Sequence, residues 1–128
     1  MLRGGLVTLF VRDVGLAVRF YVETLGMKLV EEAGGGWAVI DAGDGFRIAL
    51  ALHQSPQSPQ SPQSPRTIEG GRGSFAPSVG LYPKVPIAEA IAIYENRGVK
   101  FDMKDEGSVT LAHFRDLDDN ALYLYQER

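Results

Sequence analysis

Residues Val109–Tyr125 read VTLAHFRDLDDNALYLY, and this stretch decides how the rest of the chain is read. Asp116–Asn120 carries turn chemistry: short acidic and amide side chains that hydrogen-bond nearby backbone and tolerate left-handed conformations. Alternating residues flank it on both sides, so the stretch predicts a β-hairpin. In its last strand Leu122 and Leu124 alternate with Ala121, Tyr123 and Tyr125. Successive side chains of a strand project to opposite faces. One face is therefore aliphatic and suits packing under a helix. The other presents two tyrosines, each with an apolar body and a polar tip, and suits the wall of a small-molecule site.

Upstream, Val99–Asp105 reads as another strand. Gly98 stops a helix in which Ile87, Ala90, Ile91 and Tyr94 recur at helical spacing. Pro86 suits the first helical position. Ser78–Lys84 precedes it as a strand that Pro83 confines to an edge or bulge. The N-terminal half shows the same order. Gly5–Arg12 reads as a strand, Asp13 as a helix cap, Val14–Leu25 as a helix and Gly26 as its stop. Met27–Glu32, Trp37–Asp41 and Phe46–His53 are three more strands. The two stop glycines are 72 residues apart (98 − 26), and Val7/Val79, Leu9/Leu81 and Lys28/Lys100 keep that offset. This self-similarity predicts a duplicated βαβββ module, residues about 4–53 and about 78–127, and an α+β fold.

In the fourth strand the alternation sets Phe46, Ile48, Leu50 and Leu52 under the helix. Arg47, Ala49, Ala51 and His53 face the other way. Two alanines leave volume unfilled on that face, and an arginine there needs a partner or water. Between the halves, Gln54–Pro65 is QSP four times over. It has no aliphatic or aromatic residue to bury, so residues 54–77 are expected to be an inter-module loop within a single domain of residues 1–128. The alternative is a docking segment for a proline-recognising module.

Composition excludes several classes. A net charge of −3 gives no basis for binding nucleic acid or an anionic membrane. The absence of cysteine removes disulfides, thiolate metal sites and cysteine nucleophiles, and it fits a cytoplasmic protein. No apolar run is long enough to cross a membrane, and Arg12 and Asp13 cut the N-terminal one too short for a signal peptide. Asp116, Asp118, Asn120 and Glu127 are spaced like the first, third, fifth and twelfth residues of a calcium loop. However, Ala121 stands where that loop needs glycine, and strands flank it instead of helices. His53 and His113 are the only histidines, too few for a metal site without further ligands. His53 is expected at a solvated strand end. His113 is either a satisfied core residue or a general base.

Val7–Val30, VTLFVRDVGLAVRFYVETLGMKLV, resembles the opening of the vicinal-oxygen-chelate superfamily, above all in its FYxxxLGM run. That superfamily includes glyoxalase I, bleomycin- and fosfomycin-resistance proteins and extradiol dioxygenases. Phe114–Asn120 (FRDLDDN) is similar to the family's F-x-D-P-D-G-N turn, with Leu117 for proline and Asp119 for glycine. The resemblance implies paired modules whose sheets curl around a shared cavity, often completed by dimerisation, so a homodimer is expected. In metal-binding members, four side chains on the concave face, mainly His and Glu, hold a divalent ion. Carried to this chain, those positions fall on Leu6, Ala49 (or Ala51), Val79 and Tyr123. None offers an imidazole or carboxylate, so neither a metal nor another cofactor is expected.

By alternation from those positions, Thr8 and Phe10 join Leu6 on the concave face. The expected ligand-binding residues are Thr8, Phe10, Trp37, Arg47, Ala49, His113, Tyr123 and Tyr125, with Ala51 beside them. This mixture suits a flat or apolar ligand with an anionic or carbonyl group for Arg47. The same residues could equally fill a sheet interior or a dimer contact. The expected function is metal-independent binding of a small organic molecule, as in bleomycin-resistance-type members. The alternative is a glyoxalase- or dioxygenase-like enzyme, using an atypical metal site or acid–base chemistry through His113 and Tyr123.

Overall fold

The computed structural model describes residues 1, 3–53 and 77–127; Gln54–Pro65 lies outside the described residues. The first module comprises β1 (Leu6–Val11), α1 (Val14–Arg19), β2 (Lys28–Ala33), β3 (Trp37–Asp41) and β4 (Arg47–Leu52). The second comprises β5 (Ser78–Leu81), α2 (Ile87–Asn96), β6 (Asp102–Glu106), β7 (Val109–Arg115) and β8 (Ala121–Glu127). The expected pair of βαβββ modules is present. Its strands form two separate four-stranded sheets, ordered β1-β4-β3-β2 and β5-β8-β7-β6. The β1–β4 and β5–β8 pairs are parallel and the other pairs antiparallel.

Each helix covers one face of its own sheet, α1 against β3 and β4, α2 against β8. Asp13 caps α1 as expected, its Oδ1 accepting from Leu16 N at 3.0 Å. Under α1 lie Leu9, Val11, Ala38, Ile40, Ile48 and Leu50, all buried. Burying each large aliphatic contributes about 1.5–3 kcal/mol relative to exposure. Val79, Ala112, Phe114, Leu122 and Leu124 do the same in the second module, and both sets belong to one continuous core.

Polar bonds also cross between the modules. Tyr21 Oη donates to Asp116 Oδ2 at 2.6 Å. The backbone N and Nε of Arg12 donate to Asp118 Oδ1 at 2.9 and 2.8 Å. Tyr94 Oη donates to the Leu25 carbonyl at 2.6 Å and Arg97 Nη1 to the Thr24 carbonyl at 2.8 Å.

Several expectations need correction. The helix expected over Val14–Leu25 keeps α geometry only to Arg19. Phe20–Thr24 is a widened turn in which Leu25 N donates to Phe20 O at 3.0 Å, five residues back. Phe46 and Leu52 are exposed, not under the helix: Phe46 closes the turn before β4, donating from its N–H to Gly43 O, and Leu52 ends the strand. The strand expected over Val99–Asp105 is β6, and it begins at Asp102, not Val99. Ile87, not Pro86, is the first residue of α2, and Pro86 sits at its cap with extended ψ.

Candidate functional site

The candidate site is the pair of sheet faces that carry no helix. On the first sheet the strand register places side chains in rows. Phe10, Ala51 and Trp37 form one row, Thr8, Ala49 and Val39 the next, and Leu6, Arg47 and Asp41 the third. Thr8, Phe10, Trp37, Arg47 and Ala49, expected at the site from alternation, therefore share one face. Ala49 and Val39 are buried at its centre, while Leu6, Phe10 and Arg47 are exposed around them. The alanines produce this relief, since large residues beside them stand above small ones.

Arg47 is exposed and keeps its hydration, so the desolvation cost anticipated for it does not arise. Directly opposite it on β3 stands Asp41, with Lys28 of β2 opposite Asp41 in turn. Asp41 Oδ1 accepts from Gly43 N at 2.6 Å, which ties its carboxylate to the β3–β4 turn. Alternation in WAVID places Asp41 on the Trp37 face, so this charge is legible in the sequence although it is not among the expected site residues.

On the second sheet one row runs Gly80, Tyr123, His113 and Asp102, and another holds Tyr125, Leu111 and Lys104. His113, Tyr123 and Tyr125 thus share a face as well. Tyr123 lies across Gly80: a Cβ added there would come within 2.5 Å of Tyr123 Cζ. The missing side chain of Gly80 is what lets the ring lie down. On its other side Tyr123 tilts against His113, with ring centroids 5.4 Å apart, and Tyr125 meets Tyr82 at the same separation. The Tyr125 hydroxyl donates to Glu127 Oε2 at 3.3 Å; desolvation first, then the Glu127 charge, raises its pKa and keeps it a donor. The His113 side chain makes no hydrogen bond with a described residue, and its contact with Tyr123 is between the rings.

Val79 needs the main correction. It was expected on the ligand face, but it is buried on the helix side, paired with Leu122. Ser78 and Gly80 occupy the face opposite the helix. The donor set implied by the family resemblance is thus Leu6, Ala49, Ser78 or Gly80, and Tyr123, which lacks the imidazoles and carboxylates that a divalent ion needs. Among the described residues no three His, Asp or Glu side chains gather as a metal cluster.

The architecture recurs in solved structures. The antibiotic binding protein TnmS3 from Streptomyces sp. CB03234 is 24% identical, with 100% of this chain and 99% of that chain covered and a TM-score of 0.68. A glyoxalase/bleomycin resistance protein/dioxygenase superfamily member from Sphaerobacter thermophilus DSM 20745 is 22% identical, with coverages of 99% and 100% and a TM-score of 0.68. An integron cassette protein from the mobile metagenome of V. Cholerae is 21% identical, with coverages of 98% and 96% and a TM-score of 0.65. No curated protein matches the chain. At these identities the solved structures speak for the fold alone. The family model for the Glyoxalase/Bleomycin resistance protein/Dioxygenase superfamily matches residues 5–127, nearly the whole chain and both modules, and the chain belongs to that superfamily.

Proposed function

We propose that this protein binds a small planar organic molecule on its helix-free sheet faces without a metal, and that it sequesters that molecule. The observation carrying this reading is Tyr123 lying flat across Gly80 beside His113, an aromatic floor where metal-binding relatives need a carboxylate. Arg47, exposed on the first sheet, supplies the charge-assisted donor for an acidic or carbonyl group. Thr8, Phe10, Trp37 and Ala49 provide the apolar bed of that sheet, and Tyr125 a hydroxyl donor on the other. TnmS3, an antibiotic binding protein of the same fold, lends support at the level of ligand class.

The same reading includes a homodimer in the cytoplasm. β1 and β5 are sheet edges, and Leu6, Phe10 and Tyr82, on or next to them, are 47%, 53% and 80% exposed. Apolar side chains beside open strand edges favour association. Light scattering at micromolar concentration tests this, and a monomer would remove it.

A thermal-shift screen of planar acids and drugs tests the binding. A ligand at 100 times its Kd adds about 2.7 kcal/mol of stability. Arg47→Ala and Tyr123→Ala are each expected to abolish the shift for the best hit while leaving a folded protein, and a chelator to leave the shift unchanged. Undiminished binding by both variants would mean that the ligand lies elsewhere.

A further inference from the structure

A cleft of about 510 Å³ opens where the widened turn after α1 meets the second sheet. It exists because two strands differ in length. The last β6–β7 pair is Asp102 with His113, yet β7 continues two residues further, to Arg115 (115 − 113). The chain from Gly98 to Phe101 leaves the sheet there instead of extending the ladder. Phe101 and Phe114 meet edge to face at 5.2 Å and form one wall. Phe20 and Leu117 form another.

These walls are held in place. Phe20 packs edge-on against Tyr21 at 5.4 Å, and Tyr21 Oη donates to Asp116, the neighbour of Leu117. Arg12 Nη2 donates to the Leu117 carbonyl at 2.7 Å. Asp116 Oδ1 in turn accepts from the N–H groups of Asp118 and Asn120, both at 2.8 Å. The cleft is therefore built before any ligand arrives, which lowers the ordering cost of binding. Leu117 is 53% exposed, a large apolar side chain left for something to cover.

The rim is charged. Arg115 is engaged by its own turn, donating to the Asp119 carbonyl at 2.9 Å. Lys100 lines the cleft, is exposed, and forms no ion pair or hydrogen bond with a described residue. A cleft of this size accommodates a metabolite- or drug-sized molecule. Asp102 puts one carboxylate on the same lining, against the two cations Lys100 and Arg115, so the balance at the rim is positive and the aromatic walls with it favour a molecule with an apolar body and one anionic head.

We infer that this cleft is a second binding site, for an amphipathic organic anion bearing a carboxylate or sulfonate. Lys100 meets the head, and Phe20, Phe101, Phe114 and Leu117 enclose the body. The site does not depend on the proposed function of the sheet faces. His113 lines both places, but Arg47 and Tyr123 do not line the cleft.

The probe is anilinonaphthalene sulfonate, followed by its fluorescence on titration into the folded protein, with neutral N-phenylnaphthylamine as the uncharged comparison. Saturable binding of the sulfonate is expected. Lys100→Glu should weaken it about tenfold or more, because a charge-assisted contact becomes a repulsion. Leu117→Gln should weaken both probes. Arg47→Ala and Tyr123→Ala should leave both probes unaffected, which separates this site from the sheet faces. Three outcomes overturn the inference: no saturable binding, binding unchanged in both Lys100→Glu and Leu117→Gln, or binding abolished by Arg47→Ala. Unchanged melting temperatures of the two cleft variants, whose side chains are exposed, guard against loss of fold.

Discussion

Tyr21 is wholly buried, and its hydroxyl is committed to Asp116, itself buried. Burial first, and the Asp116 charge second, raise the Tyr21 pKa above its ordinary value of 10.0. The sign of the linkage follows from this. The folded chain holds the neutral phenol, so the contribution is complete below pH 10.0 and drains away as rising pH lets the unfolded chain ionise. Tyr21→Phe is expected to cost about 1–3 kcal/mol in urea denaturation at neutral pH, since Asp116 loses a donor. Above pH 10.0 the variant should lose stability less steeply than the parent. Tyr94, raised by burial, keeps part of the slope in both. In the sequence Tyr21 stands only within the predicted helix Val14–Leu25 and its FYxxxLGM run. Its partner sits 95 residues away, and no local pattern announces a bond across that distance.

Strands and helices were more legible than the contacts between them. Gly26 and Gly98 both take left-handed φ values, +85° and +95°, the conformation a helix-stopping glycine supplies. The repeat offset also held in orientation, since Val7, Leu9, Val79 and Leu81 all pack on the core. That offset carries Leu6 to Ser78, so the repeat already contradicted a ligand position at Val79; counting back from a glycine misses by one residue, and one residue exchanges the faces of a strand. What Gly80 does was hidden as well, because it depends on a ring from β8 lying over β5. Gly80→Ala should push that ring off its seat. The end of a tyrosine can swing away, so the melting temperature should fall by only a few degrees, while the ligand identified by thermal shift loses affinity as it does in Tyr123→Ala. In a Tyr123→Ala background, Gly80→Ala should cost nothing further. A double-mutant cycle measures this, and additive losses would show that the two residues act separately.

At the scale of the whole chain, composition marked Gln54–Pro65 as a segment with nothing to bury. Replacing it with a short Gly-Ser linker is expected to change the melting temperature little, because each doubling of loop length costs only about 0.6 kcal/mol of closure entropy. Loss of cooperative unfolding in calorimetry would contradict that. The duplicated fold was legible because periodicity and stop signals are local and occur twice. The cleft beside Phe20 was not, since it arises where β6 stops short of β7, and strand ends are the least readable part of a sequence.

The two sheets share no hydrogen-bonded ladder among the described residues, so the halves are joined by side chains: a common core and the bonds from Tyr21, Arg12, Tyr94, Arg97 and Asn120. A junction of that kind is a protein–protein interface that happens to lie within one polypeptide. Cut within residues 54–76 and co-expressed as separate pieces, the halves should find each other and reassemble, at a concentration-dependent cost that the covalent tether otherwise removes. Fragment complementation followed by native mass spectrometry tests this, and halves that stay apart would show that the tether is needed to bring the two modules together.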